Sequence, residues 1–295
     1  MPEKVILTEV GPRDGFQNLL EWIPTELKLM IINKLIDAGY PKIEVSSFVN
    51  PKAIAQMQDA REIVKNIVNR SGDFIPYVLV PNFIGAKLAY EAGIRHVTYV
   101  FSVSQSHNRE NVRRTVEESF AELRKIKEQW SSLIIKVDLA TTFDCPFEGR
   151  NPAEQVVKMI KSCLDLDIEE ICLCDTIGTA NPQQTEELLT VLKDMFPGQP
   201  FGFHFHDTRG MGLANVLVTL QQGYVSFESA VGGLGGCPFA PGAAGNIASE
   251  DLLNMLENMG VKTGISMSGV LEAAQLIKTR VKPDLTGHLV NICSK

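Results

Sequence analysis

The chain predicts an α/β protein built as a closed (β/α)8 barrel, the TIM-barrel architecture, with an additional C-terminal helix. Three observations carry this. Strand-like and helix-like stretches alternate eight times between residues 4 and 260. Eight parallel units of this size match the roughly 250 residues such a barrel takes. The unusual polar chemistry gathers in the segments that follow the strands, which in a barrel all open on one face. A doubly wound open sheet is the rival, because counting strands does not establish closure. No linker or low-complexity run divides the 295 residues. One domain over 1–295 is therefore expected, with 261–295 as an extension packed on the barrel.

Each element has its own justification. Lys4–Val10 is a short β-branched run, the first strand. From Thr25 to Ala38, Leu27, Met30, Ile31, Leu35 and Ala38 fall on one face at helical spacing. Lys42–Phe48 is the second strand, and Asn50-Pro51 reads as the cap and first position of the next helix. Ile75–Val80 and a helix from Asn82 to Ala92 make the third unit. His96–Val103 and a helix over Thr115–Trp130 make the fourth, with Val116, Phe120, Leu123 and Ile126 inward. Leu133–Thr141 is the fifth strand, and Asn151-Pro152-Ala153-Glu154 reads as a capped helix start. Glu170–Cys174 is followed by a helix opened by Asn181-Pro182, and Phe201–His206 by an apolar helix near Leu213–Leu220. Val225–Val231 is the eighth strand, with its helix at about Asn246–Met259; Ser268–Arg280 is the extra helix.

Apolar residues at 44% and charged residues at 21% are an ordinary globular balance. Net charge is −7 and no basic cluster stands out, which argues against nucleic acid. No apolar run reaches the roughly 18 residues of a membrane span. Met1-Pro2-Glu3-Lys4 leads directly into a strand, so no signal or transit peptide is expected. Six cysteines without a framework suit reduced thiols, and a cytoplasmic location is expected.

On the seventh strand, His204 and His206 share a face about 7 Å apart. One cation can hold two imidazoles at that spacing; alone, the pair is equally a hydrogen-bonded core feature. Asp14, in the turn after the first strand, would add an anionic oxygen suited to a mixed nitrogen–oxygen site, or simply pair with Arg13. Glu44 in an apolar strand needs a partner if buried, and Arg13 is the obvious one. Asn246 reads as a helix cap or as a ligand, two roles that compete. Asp138 lies on the fifth strand. Asp175 ends the sixth, where it reads equally as a turn cap. If Asp175 faces the axis, alternation turns Cys172 and Cys174 outward, and core packing is expected of them rather than a Cys-x-Cys metal pair. Cys237 sits among glycines and prolines in a loop suited to closing over a ligand, as a proton donor or nucleophile. A Walker-type phosphate loop is absent from the sequence.

These motifs resemble a known family. Gly11-Pro12-Arg13-Asp14-Gly15-x-Gln17, Asp175-Thr176-Ile177-Gly178, His204-x-His206-Asp207-Thr208 and the loop from Gly233 through Cys237 to Asn246 are similar, in order and spacing, to the hydroxymethylglutaryl-CoA lyases. The Arg-Asp-Gly turn is shared more widely, with isopropylmalonate synthases and the carboxyltransferase domain of pyruvate carboxylase; the glycine–cysteine loop is more specific.

The resemblance implies that Asp14, His204, His206 and Asn246 hold Mg2+ or Mn2+. It places Arg13 at the thioester oxygen, braced by Glu44, with Gln17 and Asp138 also at the substrate. Cys237 becomes a catalytic acid/base, and Asp175 takes part in proton transfer. The implied reaction is retro-Claisen cleavage of 3-hydroxy-3-methylglutaryl-CoA to acetyl-CoA and acetoacetate, as in leucine degradation and ketone-body formation. The implied partner is a small-molecule acyl-CoA, with neither nucleic acid nor membrane, and homo-oligomerisation left open. There are departures. Asp138 stands where the family commonly has Tyr, Cys172-Leu173-Cys174 where Ser and Gly are usual, and Leu19-Leu20 where an acidic–basic pair is usual. A carboxylate in place of the phenol would change which acyl group fits. A lyase for a related ester such as citramalyl-CoA is the near alternative. A metal-dependent hydrolase and a catalytically silent binding or scaffold barrel are the rivals from other classes.

Overall fold

The computed structural model describes residues 1–168, 170–236 and 245–292. In chain order the elements are β1 (Ile6–Glu9), α1 (Thr25–Asp37), β2 (Lys42–Ser47), α2 (Ala60–Ile67), β3 (Ile75–Val80), α3 (Phe83–Glu91) and β4 (His96–Ser102). Then come α4 (Gln105–Val112), α5 (Val116–Gln129), β5 (Ile134–Ala140), a hairpin of β6 (Asp144–Cys145) and β7 (Gly149–Arg150), and α6 (Ala153–Leu164). The rest are β8 (Glu170–Asp175), α7 (Pro182–Met195), β9 (Gly202–Phe205), α8 (Gly212–Gln221), β10 (Ser226–Ser229), α9 (Ser249–Asn258), α10 (Met267–Arg280) and α11 (His288–Ile292).

The ring closes. Its order is β1–β10–β9–β8–β5–β4–β3–β2, and β1 pairs in parallel with β10 (Ile6 opposite Ser226, Glu9 opposite Ser229) and with β2 (Thr8 opposite Lys42). That seam decides for the barrel and against the open sheet. The strands are buried on both faces, as parallel strands covered by helices require, and Leu7, Val45, Val78, Val97, Val137 and Phe203 are fully buried among them. Among the described residues no helix is long and apolar enough to cross a membrane.

Helix starts follow the sequence where a cap has no competing partner. Asn82 caps α3 through the Gly85 amide at 2.8 Å, and Asn181 caps α7 through the Gln184 amide at 3.0 Å. Thr115 and Glu118 close a capping box at α5. Two expected caps fail. Asn50 holds only an isolated turn, accepting the Lys52 amide at 3.0 Å, and α2 begins ten residues later. Gln56 and Met57 are pulled into the core in between, where Gln56 accepts the Ile23 amide and donates to Leu19 O. Asn151 turns its amide to Thr141 O, which leaves Pro152 in the cap position of α6 without a side-chain bond.

Helix α4 was not expected, because its sequence has no apolar stripe. It is held instead by Ser104, which caps it at the His107 amide, and by Asn108, which bonds the Ser102 amide and Ser119 Oγ. At the other end of the chain, α10 packs its buried Val270, Ala273, Ala274 and Ile277 on α1 and α9. Val5 N donates to Lys262 O at 3.0 Å, tying the chain after Gly260 to the first strand.

Candidate active site

The site starts from a tight π-helical turn, Gly11–Gly15, at the C-terminal end of β1. Asp14 N and Arg13 N both donate to Val10 O, at 2.7 and 3.1 Å. Position 11 requires glycine: a Cβ there would stand 2.6 Å from Glu9 Oε1, which accepts the Gly11 amide at 2.8 Å. The turn projects Arg13 and Asp14 into a cavity of about 260 Å3 at the barrel mouth, lined also by Asp138, Cys174, His204 and His206.

Arg13 is the cationic hub. Nε donates to Glu44, Nη1 to Asp14 Oδ1 at 2.5 Å, and Nη2 lies 4.0 Å from Asp138 Oδ2. Burial works against the guanidinium charge, but Glu44, Asp14 and Asp138 outweigh it and raise its pKa further. The Glu44–Arg13 pairing anticipated from the sequence is therefore present. Gln17 donates to Asp14 Oδ1 at 3.0 Å and lines the same cavity.

Asp14, His204 and His206 converge, with one ligand atom from each lying within 4.8 Å of the others. The two rings are 5.1 Å apart. His204 is oriented from behind by Glu228 Oε2, 2.9 Å from Nδ1, which leaves Nε2 for the front. Burial raises the cost of charge on Asp14, yet Arg13 and the two imidazoles hold its pKa below the ordinary carboxylate value. Burial, then the neighbouring His204, push His206 down to about 4, so it is a neutral donor at pH 7.

Asn246 is not the helix cap, since α9 starts at Ser249 with Ala248 before it. Its amide nitrogen donates to Asp14 Oδ2 at 2.6 Å and to Leu234 O at 2.9 Å. Gly235 makes room: with φ at +116°, a Cβ there would lie 2.5 Å from that nitrogen. Among the described residues, Asn246 Oδ1 and His206 Nδ1 are buried without a hydrogen-bond partner. A carboxylate, two imidazoles and an amide oxygen left unpaired suit a hard-to-borderline divalent cation.

Asp175 and the thiols correct the expected strand phase. Asp175 accepts the amides of Thr179 at 3.1 Å and Ala180 at 3.3 Å, the turn-cap arrangement, and burial pushes its pKa up to about 7. Alternation then turns Cys172 and Cys174 inward, beside Asp138, instead of outward to the helices. Lys136 is a participant the sequence reading missed. It lies two residues before Asp138 on the same face of β5, contacts Asp138 Oδ1 at 3.1 Å and pairs with Glu228. Glu228 is held well below its ordinary pKa by Lys136 and His204 despite burial, and Asp138 is raised, chiefly by burial. An i, i+2 Lys-x-Asp on a strand was the available signal. Cys237 lies outside the described residues.

Fold and site together define a (β/α)8-barrel protein with an Asp–His–His cluster and an Arg–Glu pair at the C-terminal mouth. A family model described as HMGL-like matches residues 4–277, and the chain belongs to that family. The hydroxymethylglutaryl-CoA lyase YngG of Bacillus subtilis is 42% identical over 99% of this chain and 98% of its own. The (R)-citramalyl-CoA lyase of Chloroflexus aurantiacus is 37% identical over 97% of this chain and 94% of its own. Among solved structures, an HMG-CoA lyase from Acinetobacter baumannii in complex with coenzyme A and 3-methylmalate superposes with a TM-score of 0.92. It is 41% identical, covering 98% of this chain and 95% of that one.

Proposed function

We propose that this chain is a divalent-metal-dependent carbon–carbon lyase that cleaves 3-hydroxy-3-methylglutaryl-CoA to acetyl-CoA and acetoacetate. The observation that carries the reading is the meeting of Asp14, His204 and His206 beside the Arg13–Glu44 pair. Asp14, His204, His206 and Asn246 would hold Mg2+ or Mn2+, which supplies Lewis-acid stabilisation of the substrate's tertiary hydroxyl as it loses its proton. Arg13 is held for the thioester oxygen, where enolate charge develops only as the carbon–carbon bond breaks. Glu44 and Asp14 fix the guanidinium so that it needs no reorganisation. Gln17 steadies Asp14 at the edge of the substrate cavity. Cys237 is assigned the acid/base role on its loop, since an ordinary thiol, with pKa about 8.5, is protonated at neutral pH. Asp175 caps the turn after β8 through the Thr179 and Ala180 amides and does not line the mouth cavity, so the proton-transfer share expected of it is not carried into this reading. The proposal extends to a cytoplasmic enzyme of leucine degradation and ketone-body formation.

A lyase for citramalyl-CoA is the second reading. It is favoured by Asp138, whose carboxylate faces the acyl cavity beside Arg13, and by the Chloroflexus relative. Incubating the chain with each ester and Mg2+, with and without chelator, separates the readings. Metal-dependent acetyl-CoA from the hydroxymethylglutaryl ester supports the first, and pyruvate from the citramalyl ester alone the second. No turnover of either ester by folded, metal-loaded protein removes both. Cys237→Ser should keep metal affinity and lower kcat at least about 100-fold, in the range of general acid–base contributions. Unchanged turnover takes the thiol out of the mechanism.

A further inference from the structure

Cys172 and Cys174 stand two residues apart on β8 and share the axial face with Asp138 of β5. One ligand atom from each of the three lies within 4.8 Å of the others. Burial is near complete, at 5% exposure for Asp138, 2% for Cys172 and 7% for Cys174. The sheet register fixes this arrangement, with Asp138 beside Cys172 and Cys174 beside His204. Gly202 leaves space for Cys172, since even a Cβ there would only reach 3.5 Å from the sulfur. Asp138 Oδ1 is buried without a hydrogen bond among the described residues; its polar neighbour is the Lys136 ammonium at 3.1 Å. The cluster also stands between two cavities. Asp138 and Cys174 line the mouth cavity, while Cys172 and Lys136 line a larger one of about 490 Å3 at the opposite end of the barrel.

We propose that Asp138, Cys172 and Cys174 form a second cation site, separate from Asp14, His204 and His206, that takes a thiol-preferring divalent ion such as Zn2+. Two sulfurs and one carboxylate oxygen are three of the four ligands of a tetrahedral zinc, at bond lengths of about 2.3 and 2.0 Å, and a water completes the set. The two sites differ in softness. Thiolates select Zn2+, whereas the carboxylate, imidazole and amide set suits Mg2+ or Mn2+. Charge balances as well: each thiol gives up its proton to solvent, so two protons leave as one divalent cation enters. Lys136 is the resident cation beside Asp138. Its second partner is Glu228, so it can release Asp138 without becoming an unpaired buried charge. The proposal is independent of the lyase reading.

A Co2+ titration followed by absorption tests it. The native chain should take up two equivalents, one of them producing a thiolate-to-cobalt charge-transfer band and releasing two protons. Zn2+ should bleach the band and Mg2+ should not. Cys172→Ser/Cys174→Ser should bind one equivalent and lack the band, while Cys237→Ser keeps it. If circular dichroism shows the double variant unfolded, Cys174→Ser and Asp138→Asn replace it, each weakening the band-forming equivalent at least tenfold. Uptake of a single equivalent without a thiolate band by the native chain overturns the proposal. So does a band that survives the β8 substitutions or is lost only in Cys237→Ser.

Discussion

Arg13 meets three carboxylates from three parts of the barrel: Asp14 beside it, Glu44 on β2 and Asp138 on β5. A guanidinium can donate to Asp14 and Glu44 at once and still face Asp138 at 4.0 Å because its donors form a fixed planar fork; an ammonium cannot. Arg13→Lys should therefore lower kcat about 100- to 1,000-fold, the scale of losing an oxyanion donor, with KM moved less than about threefold. Steady-state kinetics on folded protein decides this, and a kcat within threefold of native would remove Arg13 from the charge-stabilising role. Glu228 acts one bond further back, through His204. Glu228→Gln should weaken Mn2+ binding about 10- to 100-fold, as outer partners of ligating imidazoles do. Calorimetry showing native affinity would make Glu228 structural only. The sequence exposed Arg13, Glu44 and the paired histidines because each belongs to a local pattern. Glu228 had none, and Lys136 only the Lys-x-Asp spacing, because the contact between them spans 92 residues. The inward thiols were misread because their phase hung on Asp175, and two turn amides had captured that carboxylate.

At the scale of elements, the loops after β1 and β10 are tied by one buried acid. Glu9 Oε1 accepts the Gly11 amide at 2.8 Å and the Val231 amide at 2.9 Å, while Oε2 accepts Ser249 Oγ at 2.6 Å. The turn bearing Asp14 and the loop leading to Asn246 are thus set against each other before any ligand arrives. Strand order and most helix starts could be read from the chain; this tie could not, since an isolated acid at a strand end announces no partner. Burial raises Glu9 from 4.5 to about 7 even against its hydrogen bonds. The folded state therefore holds this proton more tightly than the unfolded one. The contribution to stability is full below about 4.5 and is lost as pH rises through about 7. A change of that size is worth at most about 3 kcal/mol. Glu9→Gln keeps one oxygen to accept the Gly11 and Val231 amides and can donate its NH2 to Ser249 Oγ, without titrating. Its Tm relative to native should therefore rise by several degrees between pH 5 and pH 8. A difference that stays flat, or falls, across that range shows that Glu9 is not protonated in the fold at neutral pH.

Across the whole molecule, the last segment of the chain reaches back to the catalytic mouth. Thr286 Oγ1 donates to Gly233 O at 3.0 Å and Gly287 N to Gly232 O at 3.2 Å, in the loop that follows β10. The His288 and Leu289 amides are accepted by Asp251 of α9 at 2.7 and 2.9 Å. Leu285 and Val290 are buried, at 6% and 2% exposure. Gly232 must stay glycine partly for this reason: its φ is +71°, and a Cβ would meet Leu285 at 2.8 Å. The segment therefore braces Gly232 and Gly233, where the chain leaves β10, without itself lining the mouth cavity. Truncation after Val281 leaves α10 and the strand seam intact. It removes two buried aliphatic side chains, worth about 3–6 kcal/mol together, so Tm should fall by on the order of 10 °C in a protein that stays folded. Because the loop loses its brace, Mn2+ affinity and kcat should fall together, each about tenfold or more, although no ligand residue has been touched. If the shortened chain melts lower but binds Mn2+ and turns over substrate as the native chain does, the segment stabilises the barrel without shaping its mouth.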